Sequence, residues 1–263
     1  MNWRNNEVAQ KSDVMIYVVL PTYNEESGLE KLVFELKAVM EAASLQYEIV
    51  IVNDGSKDGT LEIAQKLSDS VPVQVIDHGS NRGLGEALKS GLGKVQRISK
   101  PEDIIITMDA DNTHPPDLIS LMITKINEGY NLVVASRFVK GAREFGLRAH
   151  RKLLSRGASL LFRTLFPIKN IKDYTCGYRA YQAGLIQKAF AEYGDSFIRE
   201  KGFNSIAEIL LKLRSEKLRA CEVPLLLHYD RKKGPSKMPV VKTILRYGTL
   251  LAHNLHQRKV RPS

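Results

Sequence analysis

Cysteine is scarce: Cys176 and Cys221 are the only two among 263 residues. Two isolated cysteines build neither a disulfide framework nor a zinc-ligand pattern, so a reducing, cytosolic setting is the default expectation. Uncharged apolar runs approaching the ~18 residues of a membrane-spanning helix are missing, and the opening Met1–Asn6 lacks the apolar core of a signal peptide. The expectation is a soluble or peripheral protein with no anchor of its own. The G-x-G-x-x-G and P-loop patterns that cradle phosphates are absent as well. Internal repeats and low-complexity segments are not found. With 43% apolar and 26% charged residues, the composition suits an ordinary globular chain.

Charge, by contrast, is abundant and unevenly placed. The chain carries +10 overall, but residues 1–136 hold 12 Lys+Arg against 20 Asp+Glu, a net −8, and residues 137–263 hold 27 against 9, a net +18. The second half therefore seeks an anion: phosphate, an acidic membrane or nucleic acid. Nucleic acid is the weakest of the three, because no recognition module is present and the acidic first half would go unexplained.

Short apolar runs alternate with amphipathic stretches along the first half. Val14–Leu20, Glu48–Val52, Val71–Ile76, Asp103–Met108 and Leu132–Ala135 are predicted strands, the first stopped by Pro21. Between them, Leu29–Ala42, Thr60–Leu67, Gly85–Val95 and Pro116–Ile126 have helical spacing. This alternation predicts an α/β fold with a mostly parallel sheet, whose ligands bind beyond the carboxyl ends of the strands. The second half is more helical: Leu153–Phe166, a helix around Ile206–Leu213, a strand over Ala220–Leu227 and a closing helix over Val240–His256. Lys140–Arg148 and Arg231–Lys237 have the composition of basic, glycine-containing loops.

The sharpest chemical feature is Asp109-Ala110-Asp111, directly after Ile104–Met108. On an extended strand, residues i and i+2 share a face, so both carboxylates would converge at its carboxyl end. Close like charges resist joint ionisation. A hard cation such as Mg²⁺, held by one or two carboxylates and completed by water and substrate phosphates, resolves that conflict. Other strand ends carry polar turns too: Pro21-Thr22-Tyr23-Asn24-Glu25, Asp54-Gly55-Ser56 with Asp58 behind it, and Asn81-Arg82-Gly83-Leu84-Gly85. Acidic turns offer acceptors to ribose hydroxyls, base N–H groups and a metal rather than to diphosphate itself.

Taken together, V-V-L-P-T-Y-N-E, I-V-N-D-G-S-K-D-G-T, N-R-G-L-G-E-A-L and D-A-D resemble the family-2 glycosyltransferases of GT-A (Rossmann-like) fold, a mostly parallel mixed sheet flanked by helices. D-A-D-N-T-H-P-P, A-S-R-F, D-Y-T-C-G-Y-R-A-Y, E-V-P and D-R-K-K-G-P-S-K-M extend the likeness to the dolichyl- and polyprenyl-phosphate mannose synthase branch, from about Val14 to Lys242. The resemblance implies one catalytic domain over 14–239, with a nucleotide-sugar half (14–136) and a more helical, basic acceptor half (137–239). A tail (1–13) precedes it, and a basic amphipathic helix and tail (240–263) follow. It also implies roles. Pro21, Tyr23 and Glu25 line the nucleoside pocket, Asp54 meets the base or ribose, and Asp109 and Asp111 hold Mg²⁺ or Mn²⁺ and the diphosphate. Arg137, Arg151 and Ser155 bind the acceptor phosphate, and Arg231, with Lys237 nearby, closes over the phosphates. Two positions depart from the family pattern: Asn53 stands where an acid is frequent, and Thr113 where relatives place a metal-binding amide, so that either the metal preference is looser or Asn112 substitutes.

The expected reaction moves a hexose, mannose or glucose, from a GDP- or UDP-sugar to a polyprenyl or dolichyl phosphate, with inversion by resemblance. A phosphate with a second pKa of about 6 is already mostly a dianion at neutral pH and needs no general base. Arginine, permanently charged and bidentate, suits it. The rival is a hydroxyl acceptor, for which Asp173 is the candidate base; Asp173 would otherwise contact a sugar hydroxyl or cap a turn. Leu160, Leu161, Phe162, Leu165 and Phe166 beside Arg156, Arg163 and Lys169, and the stripe Val241, Ile244, Leu245, Leu251 and Leu255 beside Lys242 and Arg246, have the pattern of helices that lie at a membrane surface. The expected location is the cytoplasmic face of a membrane, docked directly or through a separate membrane subunit.

Overall fold

A computed structural model describes residues 13–147, 149–215, 217–232, 243 and 246–250, the side chains of 149–151 lying outside that description. β1 (Met15–Thr22), β2 (Gln46–Asn53), β3 (Val73–Asp77), β4 (Ile104–Thr107) and β5 (Leu132–Ser136) alternate with α1 (Leu29–Ala42), α2 (Thr60–Leu67), α3 (Leu84–Ile98) and α4 (Leu118–Asn127). There follow β6 (Arg143–Phe145), α5 (Ala149–Leu165), β7 (Arg179–Gln182), α6 (Ala183–Tyr193), α7 (Ser205–Lys212), β8 (Ala220–Pro224) and β9 (Leu226–His228). Among the described residues, seven strands form one sheet in the order β3-β2-β1-β4-β7-β5-β8, and β6 and β9 form a separate ribbon. Every pairing in the large sheet is parallel except those of β7, which runs antiparallel to both β4 and β5.

The central strands are covered on both faces, which is why they read as continuous apolar runs rather than as alternations. Ile16, Val18, Val19 and Leu20 of β1, Ile49–Val52 of β2 and Ile105 and Ile106 of β4 are wholly buried. Helix α1 turns Leu29, Leu32, Val33, Leu36 and Met40 onto the sheet, the set that its 3.6-residue spacing selects. Each such side chain contributes about 1.5–3 kcal/mol by leaving water.

Several local expectations are corrected. Pro21 does not stop β1, which runs on to Thr22. The β1–β4 ladder ends at Val19↔Thr107, and Met108 donates to the Val19 carbonyl at 3.3 Å. The missing N–H of Pro21 therefore points past the last rung and costs no sheet hydrogen bond. Within the predicted basic loop over Lys140–Arg148, Arg143–Phe145 pairs with Leu226–His228 as β6. The single strand predicted over Ala220–Leu227 is divided between two sheets, β8 and β9, on either side of Leu225. Two members of the proposed membrane pentad, Phe162 and Phe166, are core residues, and Leu165 packs against the core. Leu160 and Leu161 remain 55% and 47% exposed. Val241, Lys242, Ile244, Leu245, Leu251 and Leu255 lie outside the described residues.

Candidate active site

The carboxyl ends of β1, β2, β4 and β5 open into one cavity of about 700 Å³. Pro21, Tyr23, Glu25, Asp54, Asp109, Asp111, Arg137 and Ser155 all line it. Arg151 falls on α5, but its side chain is outside the description. Arg231 corrects an expectation: it is exposed in a one-turn 3-10 helix, Tyr229–Arg231, and does not line the cavity, whereas the next residue, Lys232, does.

On the nucleotide side, the loops after β1 and β2 are laced together. The Asn24 and Glu25 amides donate to Ser56 Oγ (2.9 Å) and Thr60 Oγ1 (2.8 Å), and the Lys57 amide donates to Asn24 Oδ1 at 2.8 Å. Asp54 is buried and already well supplied with donors. Its oxygens accept from His78 Nδ1 (2.8 Å) and from the Arg82 and Gly83 amides (2.9 and 2.8 Å). A carboxylate has about four acceptor positions, so roughly one is left for a ligand, and much of the work of Asp54 is to pin the N-R-G-L-G turn. That turn needs glycine: Gly83 has φ 98°, and a Cβ there would overlap the Lys201 carbonyl. Asn53 faces away from the cavity problem altogether. Its Nδ2 donates to Asp77 Oδ1 at 2.7 Å, across the β2–β3 pair in which the two residues are in register. An aspartate at 53 would set two carboxylates against each other. Asn53→Asp should therefore cost about 1–2 kcal/mol in urea unfolding at neutral pH, with part of it recovered at pH 4.

The D-A-D carboxylates do meet in the cavity, but not by strand alternation. β4 ends at Thr107, so Asp109–Asp111 form a turn, completed by Asn112 at φ 61°. Asn112 Nδ2 donates to the Gly28 carbonyl (3.0 Å) and does not line the cavity, so the amide does not stand in for the family's metal ligand. The Thr113 amide and hydroxyl instead donate to Asp111 Oδ1, at 3.2 and 2.6 Å. His114, quoted in the motif but given no role, accepts from the Asp109 amide through Nδ1 (3.1 Å) and stacks on Tyr178 at 5.0 Å. Burial and the adjacent Asp111 hold the Asp109 carboxyl above the ordinary range. Burial would also raise Asp111, yet the Lys232 ammonium and the Thr113 hydroxyl hold it below. Among the described residues no group of three or more His, Cys, Asp and Glu side chains gathers, and Asp109 and Asp111 are the carboxylates of the D-A-D turn that line the cavity. Asp109 accepts no hydrogen bond from a described side chain and is 40% exposed at the cavity. Hard oxygen donors at Asp109, open to the cavity, and at Asp111, 11% exposed and paired with Lys232, fit a divalent cation whose shell is completed by water and phosphate.

At the other end, Arg137 is fixed by a residue whose role the sequence left open. Asp173 is completely buried and accepts from Arg137 Nε and Nη2 at 2.8 and 2.7 Å, and from the Arg137 amide at 3.1 Å. It also caps the turn at the Thr175 and Cys176 amides, both at 3.1 Å. Burial would raise Asp173, but the Arg137 guanidinium overrides this and holds it below the usual carboxylate range. Arg137 Nη2 continues to Thr175 Oγ1 (2.7 Å), which lies 3.2 Å from Ser155 Oγ. Nη1 has no partner among the described residues, so one end of the fork remains for an anion. Behind this wall, buried Arg179 ties the segment down by donating to the Tyr174 and Ile206 carbonyls, at 3.0 and 2.8 Å. Thr175, Lys201, Lys232, Arg246 and Tyr247 also line the cavity. None was given a role in the site from sequence: Arg246 was named only beside the amphipathic stripe, and Lys232 and Thr175 sat inside quoted motifs, next to residues that drew the attention.

The model of the family described as Glycosyl transferase family 2 matches residues 17–190. A dolichol-phosphate mannosyltransferase from Pyrococcus furiosus is 35% identical over 88% of this chain and 61% of its own length. The chain thus spans under two thirds of that relative. A polyprenol monophosphomannose synthase from Mycolicibacterium smegmatis is 31% identical over 84% of this chain and 80% of its own. Among solved structures, glucosyl-3-phosphoglycerate synthase from Mycobacterium tuberculosis, in complex with Mn²⁺, uridine diphosphate and glucosyl-3-phosphoglycerate, superposes with a TM-score of 0.64 over 96% of this chain and 82% of that one. Its 19% identity makes it a likeness of fold. Mannosyl-3-phosphoglycerate synthase from Rubrobacter xylanophilus gives 0.61 at 17% identity, over 94% of this chain and 75% of that one. By the span of the matching model and the identity to relatives covered over most of their length, the chain belongs to glycosyl transferase family 2.

Proposed function

We propose that residues 14–239 act as one catalytic unit that transfers a hexose from a nucleoside-diphosphate sugar to a polyprenyl phosphate at a membrane surface. The observation that carries this reading is the sharing of one cavity by a pair of carboxylates and, opposite in chemistry, a guanidinium–hydroxyl network. The relatives' names, which specify dolichol phosphate and polyprenol monophosphate chemistry, support the acceptor class. A phosphate oxygen of the acceptor bonds to the anomeric carbon while the bond from that carbon to the diphosphate oxygen breaks, its electron pair leaving with the nucleoside diphosphate. Arg137, Thr175 and Ser155 orient the attacking phosphate and offset its charge, and the remaining acceptor position of Asp54, with Tyr23 and Glu25, holds the nucleoside end. A Mg²⁺ or Mn²⁺ held by Asp109 and Asp111 would neutralise charge on the leaving diphosphate.

Asp173 argues against a hydroxyl acceptor. A general base must accept a proton from the nucleophile, and this carboxylate is fully buried, doubly bonded to Arg137 and held ionised by it. For the membrane, no helix among the described residues is long and apolar enough to cross. Helix α5 instead presents Leu153 (73% exposed), Leu160 and Leu161, flanked by exposed Arg156 and Arg163, as suits an interfacial position. The test is a transfer assay that crosses GDP- and UDP-hexoses with polyprenyl phosphate or a free saccharide, with Mg²⁺ or Mn²⁺. Product with the lipid phosphate and none with the saccharide is expected; the reverse would transfer the assignment to the hydroxyl class.

A further inference from the structure

Asp111 is held by a residue far away in sequence. Lys232 donates to Asp111 Oδ2 across 121 positions, and both side chains are only 11% exposed. The other oxygen of Asp111 is occupied by Thr113. Lys232 also lies 5.8 Å from the Tyr229 ring and is influenced by Glu25 and Asp109, so this ammonium sits at the acidic end of the cavity, within the field of three carboxylates. An ion pair so withdrawn from water is unlike a surface pair, whose partners separate at little cost. A divalent cation approaching Asp111 meets a positive charge already on the carboxylate, and the two repel.

We infer that Lys232 is the resident counter-ion of Asp111, and that a divalent cation enters the D-A-D turn only by displacing it. The inference rests on the reading of Asp109 and Asp111 as the metal carboxylates. Its physical logic is competition: an internal cation that occupies the site nine-tenths of the time weakens the apparent affinity for an external one about tenfold. It also keeps Asp111 neutralised when no donor is bound. The donor's diphosphate brings the negative charge to which a displaced ammonium can turn, so metal and nucleotide should bind more tightly together than apart.

Mn²⁺ binding to the full chain, read from the electron paramagnetic resonance signal of free Mn²⁺, tests this without any turnover. Lys232→Met should bind Mn²⁺ about tenfold more tightly than wild type when nucleotide is absent. Lys232→Arg, which keeps the charge, should stay near wild type, and adding GDP or UDP should shrink the gap between Lys232→Met and wild type. Equal or weaker Mn²⁺ binding by Lys232→Met would overturn the inference alone. Wild-type protein that binds no Mn²⁺ even with nucleoside diphosphate would instead overturn the reading of the carboxylates on which it stands.

Discussion

Asp109→Ala should reduce sugar transfer by at least about a thousandfold while leaving the protein folded, because it removes one of the two carboxylates we propose hold the cation and no structural hydrogen bond. Burial and Asp111 already hold this carboxyl above its ordinary range, so its ionised form is an expense to the fold rather than a support. The variant should accordingly melt no lower than wild type at neutral pH, and circular dichroism should be unchanged. Asp109→Asn should be similarly inactive, since a neutral amide offers a metal far less. Transfer within about tenfold of wild type in either variant would remove Asp109 from the mechanism.

Asp173 predicts the opposite balance. Asp173→Ala strips Arg137 of its bidentate partner and leaves the Thr175 and Cys176 amides without their acceptor. Removing one member of a buried pair costs about 3–5 kcal/mol, most of it for the charge left behind, so chemical denaturation should show a loss of that order. Because the folded carboxyl lies below its unfolded value, its contribution is fully present above about pH 4 and is lost as pH falls through the lowered folded value. Asp173→Asn should abolish this acid-dependent part, so its stability relative to wild type improves on going from pH 7 to pH 3. In assays, Asp173→Asn should lose acceptor use more than nucleotide binding, since Arg137, Thr175 and Ser155 lie on one side of the cavity. A defect confined to nucleotide binding would show that this cluster does not serve the acceptor.

The long elements of the first half were legible because burial on both faces leaves a simple record: apolar runs for the strands and 3.6-residue spacing for α1–α4. The second half hid more. β7 is four residues long and begins with a buried arginine, so neither length nor hydropathy announces a strand; it is specified by neighbours on both sides. β6 reads as a basic loop because Arg143 and Phe145 are exposed or partly so, and only the register with Leu226 and His228 orders it. For the site, residue types were readable and partnerships were not. Asp173 was recognisable as a functional candidate, but its commitment to Arg137 depends on a fold contact 36 residues apart. The same limit applies to Arg231 and Lys232: adjacent residues in one basic run, of which the turn over Tyr229–Arg231 sends one outward and the other into the cavity.

The placement of β7 has a mechanical consequence. By running backwards between β4 and β5, it bolts the strand that leads to the D-A-D turn to the strand that leads to Arg137, with backbone hydrogen bonds on both edges. The carboxylate bank and the guanidinium bank therefore belong to one stiff plate and cannot swing apart like the lobes of a hinged enzyme without tearing strand pairs. Whatever adjusts the spacing over a bound pair of substrates has to be carried by segments hung from the rim of that plate, and the strand end that leads to Lys232 is one of them.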